Sequence, residues 1–210
     1  NIPGADIHTF GLKSIHDALR IKHHVVTQME LASHATDENR KKELLSFIVV
    51  GGGPSGVEVA AELSDLIQET FYRYYPKKLI QCSKVTLIQR APELLPLFEP
   101  SIRKRSVKAL TQKGIQVLLN TVVKEVTSTH VVLEDGKLID SETVIWVAGI
   151  MPQKVNFDSE VATTLDGRII INKFLQPNGA STTPELGKIF VLGDAAALEL
   201  ADKTFLPALA

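Results

Sequence analysis

Five β-rich residues, Ser46-Phe47-Ile48-Val49-Val50, run directly into Gly51-Gly52-Gly53-Pro54-Ser55-Gly56, and residues 56–75 are helix-compatible up to Pro76. A short run that is apolar on both faces reads as a strand buried in a parallel sheet. A G-x-G-x-x-G spacing carries little meaning alone, but between a buried strand and a helix it has its required context. Each residue type then has a physical reason. Gly51 permits the tight turn, Gly53 leaves room for a pyrophosphate against the backbone, and Gly56 lets the helix pack close to the strand. The helix start that follows then presents free N–H groups and a positive dipole end to phosphates. A glycine-rich turn without a ligand is the plain alternative.

The rest of the chain extends this unit. Leu12, Ile15, Leu19, Val26 and Met29 recur at near-helical spacing and predict a helix over about residues 13–35, followed by a short polar helix or loop. Lys84 to Ile88 reads as the next strand. Pro100 opens a further helix that Gly114 closes. Val117–Val126, Val131–Leu133 and Val144–Val147 are β-rich, and Asp135-Gly136 is a hairpin signal. They predict an antiparallel β-meander inserted into the α/β unit. Residues 150–187 are rich in turn formers, and Ile189–Leu192 reads as a last buried strand ending at Gly193-Asp194. The expected fold is α/β: a Rossmann-like parallel sheet with helices and an inserted meander, in three layers of ββα type.

Composition narrows the function classes. Of 210 residues, 44% are hydrophobic and 22% charged, enough for a sizeable core. The net charge is -1 with Lys and Arg dispersed, which argues against nucleic acid as a partner. Cys82 is the single cysteine, so no internal disulfide forms, and its loop position gives it no redox role. No apolar run approaches the roughly 20 residues that span a bilayer, and no signal peptide is present. Both termini read as cuts within a longer sequence. Five of six histidines, His8, His16, His23, His24 and His34, lie in the first 34 residues without a helical metal-pair spacing, so solvated helix positions are expected rather than a metal site. Phe71-Tyr72-Arg73-Tyr74-Tyr75 ends a helix and is expected to pack against a neighbouring domain or subunit. Arg103, Lys104, Arg105 and Lys108 are expected to form a solvated face.

The end of the second strand should carry the residue that reads an adenosine ribose: an acid for a 2′-hydroxyl, or a nearby arginine for a 2′-phosphate. Here it ends in Gln89-Arg90. Gln89 removes the charge that would repel a phosphate, and Arg90 can bond one. Equally, Gln89 can bond a ribose hydroxyl while Arg90 points into water. Glu58, expected in the first helical turn, is either a dipole-favoured acid or a residue turned toward a nicotinamide.

At this point the motifs form an ordered set. Phe47-Ile-Val-Val-Gly-Gly-Gly-Pro-Ser-Gly-Val-Glu58, Val85-Thr-Leu-Ile-Gln with Leu94-Leu-Pro-Leu-Phe98, Val144-Ile-Trp-Val-Ala-Gly149 and Ile189-Phe-Val-Leu-Gly-Asp-Ala-Ala196 occur in that order. Together they resemble type II (non-proton-pumping) NADH dehydrogenases of the FAD-dependent pyridine nucleotide-disulfide oxidoreductase superfamily. The resemblance implies an NAD(P)H domain inserted into an FAD domain, with hydride passing from nicotinamide to flavin and on to quinone. By motif match it places Gly51, Gly53, Ser55 and Gly56 at the pyrophosphate, Glu58, Ala148 and Gly149 at the nicotinamide, and Gly193-Asp194 at the flavin ribitol. No catalytic acid–base pair is expected, because the cofactors carry the chemistry.

The implied organisation is residues 1–45 as linker helices bordering the FAD domain, 46–150 as the NAD(P)H domain and 151–210 as a return segment. Cofactors are NADH or NADPH, with FAD in the longer protein and not retained by this stretch. Expected partners are the FAD domain of the same chain, and quinone and a membrane surface reached through other segments; a homodimer stays open. The expected location is peripheral, at a bacterial or mitochondrial inner membrane, with this stretch itself soluble. Members specific for NADH usually carry Glu where this chain has Gln89, so NADPH use is expected, alone or beside NADH. Two other classes share the motifs: a disulfide reductase relative, and a redox-signalling flavoprotein resembling apoptosis-inducing factor.

Overall fold

The computed structural model describes residues 2–149, 161–178, 186–200 and 204–205. The chain divides into two compact units between Ala148 and Gly149.

In the first unit, a short helix α1 (Ala5–His8) and strand β1 (Phe10–Gly11) precede the long helix α2 (Ile15–His34). A capping box starts α2: the Ser14 hydroxyl accepts from the Asp17 N–H, and the Asp17 carboxylate accepts from the Ser14 N–H. Its buried stripe is Ile21, Val25, Gln28, Met29 and Ala32. Ile15 and Leu19, expected on the apolar face, are exposed, because the helix turns a different set of positions to the sheet. The short polar helix α3 (Glu38–Leu44) leads into β2 (Ser46–Val50), which is buried along its whole length.

After β2 come α4 (Pro54–Asp65), α5 (Lys77–Cys82), β3 (Lys84–Ile88), α6 (Pro100–Gln112) and β4 (Gln116–Leu118). The helix expected to run to Tyr75 keeps α geometry only to Asp65. It widens into a π turn over Leu66–Thr70 and tightens into a 3-10 turn over Phe71–Arg73. That change tucks Phe71 into the chain's own core and leaves the Tyr75 hydroxyl donating to Glu30. Burial and the Glu30 carboxylate push the Tyr75 hydroxyl up to about 12. Tyr72, Arg73 and Tyr74 of this run are exposed. Cys82, expected in a loop, is the last residue of α5 and is exposed.

The remaining strands are β5 (Val123–Val126), β6 (His130–Leu133), β7 (Leu138–Asp140) and β8 (Thr143–Trp146). The meander is narrower than expected: β5, β6 and β7 form the antiparallel sheet, with the hairpin at Asp135-Gly136. The stretch expected as one strand from Val117 is split, β4 joining the parallel sheet and β5 the meander. β8 also belongs to the parallel sheet, whose order is β1-β8-β2-β3-β4. Leu138–Asp140 escaped the sequence reading because it holds only two apolar residues and one of them, Leu138, is exposed.

Strand alternation separates two cores. Phe47, Val49, Val85, Leu87 and Ile145 meet the helices, with Val25, Met29, Ala60, Leu63 and Leu110. Ile48, Val50, Ile88 and Val144 meet the meander, with Val123, Val126, Val131 and Leu133. This is the expected three-layer α/β architecture. Helices α2 and α3 share the first core, while Ile2 and Ala5 pack on the second, and residues 1–148 form one compact unit.

Two polar joints lock the central strands. Ser141, fully buried, donates to the Ser46 carbonyl at 2.6 Å and accepts from the Thr143 N–H at 3.1 Å. His24 lies half-buried on α2, 3.0 Å from the Thr143 hydroxyl and 4.6 Å from the Phe10 ring between centroids. It is therefore not the solvated position expected of it.

In the second unit, β9 (Ile169–Ile171) pairs in parallel with β10 (Ala196–Leu198). Ile189–Leu192 is not the strand expected: Val191 is buried and its N–H donates to Leu175, while Phe190 and Leu192 are exposed and no ladder forms. Parts of the expected turn-rich stretch, Ile150–Glu160 and residues 179–185, lie outside the described residues.

Two measurements check these joints. Ser141→Ala leaves a buried donor and a buried acceptor unpaired, and should lower unfolding stability by about 2 kcal/mol in a urea titration. Burial pushes the His24 imidazole below its ordinary value of 6.5. The unfolded chain therefore takes up the proton first as pH falls, so the stability is present above that value and lost as pH drops through it toward the folded value. Urea midpoints at about pH 7.5 and 5.5 should show a fall that His24→Gln reduces.

Candidate functional site

The glycine loop lies at the carboxyl end of β2, where the strands of an open α/β sheet present ligand crevices. Helix α4 begins at Pro54, its fixed φ suited to a first helical position, with Gly53 as the cap. The first intrahelical bond runs from the Val57 N–H to the Gly53 carbonyl at 3.1 Å. The N–H groups of Ser55 and Gly56 therefore precede the hydrogen-bonded turns and are free for a ligand. Because the helix starts at Pro54 and not at Gly56, Glu58 sits in its second turn, exposed, rather than in the first turn expected.

The glycines divide the work. Gly51 has φ +121°, and a Cβ there would lie 2.8 Å from the Ala148 nitrogen. A Cβ on Gly56 would fall 1.7 Å from the Gly51 carbonyl oxygen. Both positions are closed by the protein's own backbone. A Cβ on Gly53 would meet nothing within 4 Å. That open face lies beside free helix N–H groups, an arrangement that can accept an anion.

β8 brings Ala148 against this loop. The Val147 N–H donates to the Val50 carbonyl at 2.9 Å, and the Trp146 indole donates to the Ala148 carbonyl at 3.1 Å. On the other side, β3 delivers Gln89. Its Oε1 accepts from the Gly52 N–H at 3.0 Å, so the side chain at the end of the second strand is bonded into the glycine loop. Arg90 is exposed and has no hydrogen-bond or ion-pair partner among the described residues.

Two supports were not legible in the sequence. The backbone of residues 118–121 brackets Gln89: the Gln89 N–H donates to Leu118 at 2.8 Å and its carbonyl accepts from Thr121 at 3.0 Å. Asn120 turns this strap with φ 50°, a conformation asparagine tolerates. The other is the Glu93–Leu95 segment. Leu94 and Leu95 are buried, and the Leu95 N–H donates to the Gly52 carbonyl at 2.8 Å while its own φ is 52°. Leu94-Leu95 stood in a quoted motif, but only the fold shows them capping the loop. Arg103, expected on a solvated face, is largely covered and pairs with Glu93.

Gly149, Gly193 and Asp194 belong to the second unit. Gly193 opens a 3-10 turn at φ 63°, and Asp194 is half-buried with no hydrogen-bond partner among the described residues. A carboxylate with open acceptor capacity fits a hydroxyl donor such as a ribitol. Among the described residues no group of three or more His, Cys, Asp or Glu side chains is placed to hold a metal, and no helix is long and apolar enough to cross a membrane.

A parallel sheet with a glycine turn at a helix start and a polar side chain at the end of the next strand is the arrangement of a dinucleotide-binding domain. The chain belongs to the pyridine nucleotide-disulphide oxidoreductase family, whose model matches residues 1–206. It is 31% identical to the external alternative NAD(P)H-ubiquinone oxidoreductase B4 of Arabidopsis thaliana mitochondria, over 94% of this chain and 34% of that protein. It is 29% identical to the type II NADH:quinone oxidoreductase of Mycobacterium tuberculosis, over 90% of this chain and 41% of that protein. The structure of NDH2 from Plasmodium falciparum in complex with NADH matches with a TM-score of 0.77 and 25% identity, covering 95% of this chain and 41% of that one. The chain thus spans about a third to two fifths of the length of these relatives.

The loop geometry predicts opposite outcomes for two alanines. Gly56→Ala forces backbone against backbone and should cost more than about 3 kcal/mol in unfolding free energy, whereas Gly53→Ala should stay within about 0.5 kcal/mol. Equal costs in a denaturant titration would contradict the division of roles drawn here.

Proposed function

We propose that this chain is the NAD(P)H-binding portion of an FAD-dependent NAD(P)H:quinone oxidoreductase. The observation that carries the reading is the open face at Gly53 beside the free N–H groups of Ser55 and Gly56, with Gln89 bonded into the same loop. The names of the relatives support it.

In this reading Gly51, Gly53, Pro54, Ser55 and Gly56 form the pyrophosphate cradle, and the α4 dipole favours its negative charge. Gln89 and Arg90 meet the adenosine ribose and its 2′ substituent. Glu58, Ala148 and Gly149 border the nicotinamide, and Gly193-Asp194 contacts the flavin ribitol. When bound, the cofactors supply hydride transfer from nicotinamide to flavin and reduction of the quinone. The residues of this chain orient the nucleotide and carry no acid–base step. Residues 1–45 border the flavin domain and 151–210 lead back toward it. The whole protein works peripherally, at a bacterial or mitochondrial inner membrane.

Gln89 makes NADPH acceptable. Its amide oxygen satisfies the Gly52 N–H without a negative charge, whereas a carboxylate there would keep that bond and repel a 2′-phosphate. Fluorescence titrations with NADH and NADPH test the reading. Gly53→Ala should weaken both nucleotides at least about tenfold, near 1.4 kcal/mol, because its Cβ occupies the phosphate's place. Gln89→Glu should move the NADPH:NADH preference about tenfold toward NADH. Unchanged discrimination in Gln89→Glu would sink the NADPH assignment, and failure of the wild type to bind either nucleotide would sink the site.

A further inference from the structure

Beyond β3 the chain folds back over the glycine loop, and the segment that contacts Gln89 carries an ion pair. The Gln89 side chain is held on both sides. Its Oε1 accepts from Gly52, and its Nε2 makes a long contact of 3.5 Å to the Glu93 carbonyl. The Glu93 backbone is thereby tied to the Gln89 side chain. The Glu93 carboxylate is paired with the Arg103 guanidinium of α6.

The pair is asymmetric. The Arg103 side chain is 22% exposed and the Glu93 side chain 55%. Arg103 Nε is buried with no hydrogen-bond partner among the described residues. An arginine that only solvated a helix face would keep that donor in water. With Glu93 more than half exposed, solvent screens the pair and it adds little to stability, so its effect on the local charge is the more consequential property. Intact, the pair is neutral. Opened on one side, it leaves a unit charge of known sign on the segment whose backbone carbonyl contacts Gln89.

We propose that the Glu93–Arg103 pair is a specificity determinant: by neutralising Glu93, Arg103 keeps the Gln89-Arg90 corner acceptable to the 2′-phosphate that distinguishes NADPH from NADH. The proposal rests on the nucleotide placement given under Proposed function. A 2′-phosphate carries about -1.5 to -2 charges near neutral pH. It therefore responds to an added unit charge within a Debye length of about 8–10 Å far more than a ribose hydroxyl does. Glu93 and Arg103 act on nucleotide choice through charge, and neither needs to touch the nicotinamide.

The test measures dissociation constants for NADH and NADPH by fluorescence with wild type, Arg103→Gln, Glu93→Gln and the double variant, at about 50 and 500 mM salt. Arg103→Gln should lower the NADPH:NADH affinity ratio at least about threefold, and Glu93→Gln should raise it by a similar factor. The double variant should return to within about twofold of wild type, and both single shifts should shrink at high salt. Arg103→Lys, which keeps the charge but not the fork, should hold the wild-type ratio. If the variants weaken both nucleotides alike and leave the ratio unmoved, the pair is merely structural and the proposal is overturned. If wild type binds neither nucleotide, the site assignment falls and the proposal falls with it; binding of both with an unmoved ratio overturns only the role of the pair.

Discussion

Helix α4 can approach strand β2 only because Gly56 has no side chain. A Cβ there would lie 1.7 Å from the Gly51 carbonyl oxygen. This contact sets how near the helix start comes to the end of the central strand, and much follows from it. The free N–H groups of Ser55 and Gly56 face the turn instead of standing off from it. Gly51, in turn, can hold φ +121° against the backbone of Val147 and Ala148 only because it too lacks a Cβ. β8 therefore docks on the loop that β2 begins. One close approach thus couples the helix layer, the sheet and the proposed phosphate cradle.

What the residues showed in advance depended on how local the signal was. The glycine loop, β2, β3, α2 and α6 were legible because each carries its own period, cap or turn chemistry. The boundary between the two sheets was not. Val117 and Val123 look alike in a β-rich run, yet one pairs in parallel with β3 and the other opens the meander. Which sheet a strand joins is decided by partners far along the chain. The same holds for Ile189–Leu192, whose apolar residues find no ladder. In the site, Gln89 was visible as the residue at the strand end, but its bond to Gly52 was not. Glu93, Arg103 and Asn120 carry no motif of their own, and they enter only because the fold brings their segments to the end of β3.

Gln89 illustrates how a polar side chain can serve structure and recognition at once. Its oxygen supports the glycine loop, its amide contacts the next segment, and its backbone is clamped by residues 118–121. A side chain so held has lost most of its rotamer freedom before any ligand arrives, which lowers the cost of ordering it on binding. Glu58 and Arg90 are exposed by contrast and keep that freedom.

The position of β8 has a consequence for how the chain is made. β2 pairs with β3 on one side and β8 on the other, and β1 reaches the sheet only through β8. The Ser46–Ser141 bond at the base of this joint closes a separation of 95 residues. A ribosome delivering the chain from its N-terminus therefore exposes one edge of the fully buried strand β2 until Trp146 has emerged. Such an edge is a template for pairing with another nascent chain. The late arrival of β8 leaves that edge open during synthesis, and pairing over so long a separation is slow to form.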